Sequence, residues 1–196
     1  MRKIFLFLLV ASLLLIPTLA HAQSTLTIKE LNIQLWPEYD RAEMLVMYSI
    51  TVADDTPLPA NLEVRVPANA QINAVAKLAE NSMLTVPYDA PIRDGDWMTL
   101  TLVMDELTTY RVEYYQAMEK DGATRNFSFL WESDYDAELL YAEFQQPPSA
   151  TNLITTPLLP NQNPVTEGMI YHTLAQGPLS AGEAFALEIA YDKDND

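Results

Sequence analysis

The sequence predicts an all-β protein folded as an antiparallel β-sandwich, immunoglobulin-like or jelly-roll-like, with about a dozen short strands. Three observations carry that expectation. Apolar residues recur mainly with period two. The segments that do so are short and rich in Val, Ile, Thr, Tyr and Phe, which fit a pleated, half-buried surface. Between them stand turn-forming residues at the spacing of a sandwich or barrel.

In chain order, Thr25 to Trp36 and Glu43 to Val52 read as the opening strands. Leu62, Val64 and Val66 then alternate with Glu63 and Arg65. The stretch Ala68 to Glu80 is Ala-rich and competes for helix, but Ile72, Ala74, Ala76 and Leu78 alternate with polar or small neighbours, so Ile72 to Leu78 reads as strand. Met83 to Val86 follows. Met98, Leu100, Leu102 and Met104 point one way while Trp97, Thr99, Thr101 and Val103 point the other. Tyr110 to Gln116 is the next strand, and then Phe127, Phe129 and Trp131 form one face of another. Glu138 to Phe144, Asn152 to Thr156 and Met169 to Leu174 continue the series, and Phe185, Leu187, Ile189 and Tyr191 close it.

The connections have their own chemistry. Asp54-Asp55-Thr56-Pro57, Arg93-Asp94-Gly95-Asp96, Lys120-Asp121-Gly122 and Ser180-Ala181-Gly182 are turn sequences, and the Asp-Gly pairs suit the positive φ of tight hairpins. Pro157, Pro160 and Pro164 make residues 157 to 168 the expected long loop. The reading is one sandwich over residues 23 to 196, with a subdivision near residues 120 to 124 as its alternative.

Met1-Arg2-Lys3, the apolar run Ile4 to Leu15 and the small-residue site Ala20-His21-Ala22 have the form of a secretory signal peptide over residues 1 to 22. The run is shorter than a membrane-spanning helix needs, so cleavage before Gln23 is expected, with retention as an N-terminal anchor as the alternative. The expected location is secreted or periplasmic, with no membrane insertion after cleavage. The net charge of −16 becomes more negative once Arg2 and Lys3 are lost. Such a surface repels phosphate backbones and anionic headgroups, which argues against nucleic acid as a partner.

Cysteine is absent, which removes disulfides, thiolate metal sites and thiol nucleophiles. Of the two histidines His21 lies in the leader, and His172 sits within a strand, where a hydrogen-bonded or half-exposed role outweighs a catalytic one. No cofactor is expected. Paired carboxylates across a groove, as in glycosidases, remain conceivable with Asp94 and Asp96 or with Glu132, Asp134, Asp136 and Glu138. The same four, Glu132, Asp134, Asp136 and Glu138, are the candidate calcium ligands, since calcium takes hard oxygen donors. The Asp192, Asp194, Asp196 run lacks the glycine and distal glutamate of an EF-hand. Candidate binding residues are Trp36, Tyr39, Tyr114 and Tyr115. The last two are adjacent on a strand, so one must face away from the core and is expected at the surface.

Leu35-Trp36-Pro37-Glu38-Tyr39-Asp40-Arg41, Asp55-Thr56-Pro57-Leu58-Pro59 and Phe127-Ser128-Phe129-Leu130-Trp131, with Val112-Glu113-Tyr114-Tyr115 and Gln145-Gln146-Pro147, make the chain similar to an uncharacterised family of bacterial exported β domains. In that family the domain is often followed by a membrane helix and sometimes by a zinc ribbon. This sequence carries neither before Asp196, so the resemblance implies a freely secreted or periplasmic version. It brings no established activity. Three functions then compete: a non-catalytic secreted or cell-envelope module with a structural or protein-binding role, a carbohydrate-binding module using exposed aromatics, and a glycosidase-like enzyme. A coplanar exposed row of rings favours sugar, buried rings favour the first, and a carboxylate pair in a deep groove favours the last.

Overall fold

The structure is a computed structural model that describes residues 26–80, 82–164 and 169–194. Its strands are β1 (Ile28–Pro37), β2 (Met44–Val52), β3 (Ala60–Pro67), β4 (Gln71–Ala79), β5 (Ser82–Thr85), β6 (Ile92–Asp94), β7 (Trp97–Met104) and β8 (Thr109–Gln116). They continue as β9 (Glu119–Asp121), β10 (Thr124–Glu132), β11 (Ala137–Gln146), β12 (Thr151–Thr156), β13 (Asn161–Pro164), β14 (Ile170–Leu179) and β15 (Ala184–Asp192). No helix occurs among the described residues. The protein is all-β, and its strands build a sandwich.

One layer is an eight-stranded sheet in the order β13-β14-β11-β1-β2-β8-β4-β5. The facing elements are a four-stranded sheet, β12-β15-β10-β9, and a three-stranded sheet, β3-β7-β6. Neighbouring strands are antiparallel except for β1 and β11, which run parallel from Ile28 opposite Ala137 to Leu35 opposite Phe144. A parallel pair needs a long crossover. Here the chain between β1 and β11 passes through β2 and strands of both smaller sheets, which supplies it.

The period-two pattern closes this architecture by sending alternate side chains inward. Leu31, Ile33, Leu35, Val46 and Tyr48 of the large sheet share one buried cluster with Leu62, Val64 and Leu100 of the three-stranded sheet and Phe129, Trp131 and Leu187 of the four-stranded sheet. Tyr48 ties the layers together. Its ring meets Trp131 edge-on at 4.7 Å and 87°, and its hydroxyl lies 2.6 Å from that of Tyr114. Farther along, Phe144 packs on Tyr191 with ring centroids 5.9 Å apart.

All twelve expected strands are present, including β4 in place of the competing helix. The structure adds β6, β9 and β13. The first two are the outer arms of the Asp-Gly hairpins: Asp94 faces Trp97 and Asp121 faces Thr124. Gly95 and Gly122 take φ of 57° and 60°, as these two-residue turns require. The third corrects the expected loop, since Asn161–Pro164 pairs with β14 as an edge strand, a place where proline is tolerated. Residues 165–168 of that loop, the leader segment 1–22 and Asp196 lie outside the described residues.

Candidate functional site

β2 is buried on both sides at its start. Met44, Val46 and Tyr48 face the core, whereas Leu45 and Met47 face outward and form a second buried cluster with Tyr115, against which Trp36 packs. Register explains the grouping: Trp36 lies opposite Leu45, and Leu45 opposite Tyr115, so three outward side chains align across β1, β2 and β8. The parallel pair then sets Gln34 opposite Glu143. On the far side of β11, Gln145 lies opposite Tyr171 of β14. The outer face of the large sheet thus gathers an aromatic and amide-rich patch from residues distant in sequence.

The turn between β1 and β2 covers part of this patch. Glu38, at φ 53°, closes the turn by donating its backbone N–H to Glu43 O at 2.9 Å. Its carboxylate points to the other layer and meets Lys193 at 2.9 Å, Lys120 at 3.2 Å and Arg125 at 3.3 Å. Burial works to raise the Glu38 pKa, but the hydrogen bonds and charges of these cations outweigh it and hold the carboxyl below its ordinary value of 4.5. With the turn clamped, Asp40 accepts the Tyr115 hydroxyl at 2.8 Å, and the Arg41 guanidinium lies 3.7 Å from the Tyr115 ring centroid. Burial, then Asp40, raises the Tyr115 pKa.

Tyr39 stays 56% exposed. Its ring centroid lies 5.3 Å from that of half-buried Trp36, tilted by 52°, and Tyr171 meets Trp36 from another side at 6.1 Å and 67°. Glu143 Oε1 accepts from Gln34 Nε2 at 2.9 Å and, more weakly, from the Trp36 indole N–H at 3.4 Å. Gln145 Nε2 donates to the Tyr171 hydroxyl at 2.6 Å, which fixes that ring. Trp36, Tyr171, Gln34, Glu143 and Asn163 line an open recess of about 410 Å³. A larger recess of about 590 Å³, lined by Leu26, Thr27, Pro57 and Asn61 among others, has no aromatic residue among its described lining.

Of the expected binding residues, Trp36 and Tyr39 do come together. The other two are corrected. Tyr114 is fully buried in the sandwich core against Tyr48. Tyr115 faces outward as its adjacency requires, yet it is only 4% exposed because Asp40 and Arg41 fold over it. Nor do the rings form a coplanar row. The expected calcium ligands Glu132, Asp134, Asp136 and Glu138 do not converge: Asp134 pairs with Arg65, Asp136 accepts the Ala181 N–H at 2.8 Å, and among the described residues no group of three or more such side chains is placed to hold a metal. Asp94 and Asp96 flank Gly95 on the exposed β6–β7 hairpin. His172 is buried with Nε2 2.7 Å from Gln146 Oε1, and burial lowers its pKa. Gln34, Glu143, Asn163 and Tyr171 were not singled out in the sequence. Each sits in a strand that pattern alone marks as ordinary, and the β1/β11, β11/β14 and β13/β14 registers bring them together.

The fold and the patch define a β-sandwich with an aromatic outer face and no metal-ligand group among its described residues. No family model matches the chain, and no curated protein matches it. Similar solved structures exist. A two-domain M1 zinc metallopeptidase with bound L-tryptophan aligns with 87% of this chain and 43% of its own, at 13% identity and a TM-score of 0.53. An M1 zinc metallopeptidase from Deinococcus radiodurans bound to a Tyr-Ser-Ala substrate aligns over the same shares at 12% identity and TM-score 0.53. Native yeast LTA4 hydrolase aligns with 85% of this chain and 29% of its own, at 8% identity and TM-score 0.50. The chain spans less than half the length of these structures, and at such identities the likeness is one of fold alone.

Proposed function

We propose that this chain is a non-catalytic module of the secreted or cell-envelope space that binds a protein partner through the outer face of its eight-stranded sheet. One observation carries the reading: half-buried Trp36, with Tyr39 and Tyr171 around it, sits on a face that the sandwich core does not use. Tryptophan and tyrosine in a partly desolvated patch are what protein interfaces concentrate their binding energy on. The tilt between the rings supports this over the carbohydrate reading, because the C–H faces of successive sugar rings are best matched by coplanar aromatic faces. Export rests on the leader-like segment at residues 1 to 22.

Photo-cross-linking in the native host tests the proposal. A photoreactive phenylalanine analogue at Tyr39 should give protein adducts of discrete mass, whereas the same analogue at Ile92, 70% exposed on the three-stranded sheet, should not. Absence of adducts at Tyr39, or equal adducts at both positions, overturns it. Glycan retention abolished by Trp36→Ala with the fold intact would instead establish the carbohydrate reading.

A further inference from the structure

We infer that the recess at Glu143 receives a cationic side chain, arginine or lysine, presented by the partner protein; the inference rests on the docking reading above. The charge arrangement on the outer face points to it. Glu113, on the same face, has Arg111 Nη1 at 3.9 Å and an amide hydrogen bond from Asn73 at 3.0 Å. Asp40 accepts a tyrosine hydroxyl next to Arg41. Glu143 differs: its hydrogen bonds come from the neutral groups of Gln34 and Trp36, and it makes no ion pair with any described residue. This half-buried carboxylate is held by neutral donors and has no cationic partner among the described residues, and a cation entering the recess would supply one at hydrogen-bond range.

The walls agree with the floor. Trp36 and Tyr171 both line the recess beside Glu143, so a cation that reaches the carboxylate has aromatic rings as its neighbours. The molecule already uses this chemistry one turn away, where Arg41 stacks on Tyr115 at 3.7 Å. Exposed Asn163, on the edge strand β13, adds an amide at the rim. Among the described residues no lysine or arginine lines the recess, so an anionic group would find no counter-charge from them there. The net charge of −16 concentrates cationic partners around the whole protein. The recess adds position to that general attraction.

The test uses N-acetyl-arginine amide as the probe and its citrulline analogue as the neutral, nearly isosteric control. The Trp36 indole N–H resonance, assigned by its loss in Trp36→Phe, reports binding. Arginine amide should shift that resonance saturably, and citrulline amide should bind at least about tenfold more weakly. Glu143→Gln, which keeps the shape of the recess, should weaken arginine binding about tenfold. Glu188→Gln, which removes one exposed carboxylate from the four-stranded sheet, should not. Equal responses to the two amides, parental binding by Glu143→Gln, or an equal loss in both Gln variants overturns the inference. If Tyr39 adducts persist while the arginine probe fails, only the cationic occupant is wrong; if the adducts are absent too, the docking reading falls with it.

Discussion

Trp131→Ala strikes the contact that joins the two layers. The side chain is 2% exposed and sits edge-on to Tyr48 at 4.7 Å, within the cluster shared by all three sheets. Truncating a buried aromatic to alanine costs about 3–5 kcal/mol from lost burial and the cavity left behind. The edge-to-face pair adds roughly 0.5–1.5 kcal/mol to what the ring contributes. An opposing effect comes from the indole N–H, which finds no acceptor among the described residues. Removing it returns about 1 kcal/mol or more of desolvation cost. The net expectation is a loss of about 2.5–5.5 kcal/mol, out of the roughly 5–15 kcal/mol that stabilises a typical domain. Urea unfolding followed by far-ultraviolet circular dichroism measures it, and thermal melting should show a fall of about 5–22 °C. Trp131→Phe keeps a ring against Tyr48 and discards the unpaired donor, so it should cost less than half as much. A Trp131→Ala protein that melts like its parent would refute the assignment of these faces to the core, and a Phe variant worse than the Ala variant would refute the account of the indole N–H.

Three other outcomes are expected. Glu38→Gln removes the carboxylate shared by Lys193, Lys120 and buried Arg125 and should cost about 3 kcal/mol at neutral pH by denaturant titration. Because the folded Glu38 pKa lies below its ordinary 4.5, its contribution is fully present above that pH and is lost as pH falls below it; the Gln variant should therefore show a flatter acid limb than the parent. Tyr48→Phe strands the Tyr114 hydroxyl in the core and should cost about 1–3 kcal/mol, while adding Tyr114→Phe should cost less than the two single changes summed, which a double-mutant cycle on melting data will check. Mass spectrometry of protein from the host should find a mature chain that starts at Gln23 outside the cytoplasm, and intact Met1 on a cytoplasmic species would contradict the export proposal.

The strands were legible because a two-layered sandwich half-buries most of them, which writes period two into the sequence. β10 shows this clearly: Arg125, Phe127, Phe129 and Trp131 are buried while Ser128 and Leu130 are exposed. β6 and β9 carry no such pattern, since every residue in both is exposed and the Asp-Gly turn alone marks the hairpin. β2 breaks the pattern the other way, being buried on both sides at its start because the outer cluster covers Leu45 and Met47. For Tyr115, adjacency correctly placed it on the opposite face from Tyr114 but could not foresee the Glu38-clamped turn that buries it. The recess was least legible. Its floor joins Gln34 to Glu143 through a parallel pairing, and nothing local in either strand encodes which distant strand lies alongside. Asp134 and Asp136 show the converse: closeness in sequence suggested one site, and the loop turns them to Arg65 and to the Ala181 N–H.

Docking through the outer sheet face is the central claim, and Trp36 is its most exacting test. Its ring packs on Leu45, Met47 and Tyr115 from the half-exposed side, so Trp36→Ala should cost only about 1–2 kcal/mol of stability and leave a folded protein. At an interface anchor the same truncation costs at least about 2 kcal/mol of binding, close to a thirtyfold loss in affinity. The decisive measurement is the yield of the Tyr39 cross-linked adduct in a Trp36→Ala background that circular dichroism shows to be folded. The account predicts that the adduct nearly disappears; a folded Trp36→Ala protein that cross-links to the same partner at the parental yield would contradict it.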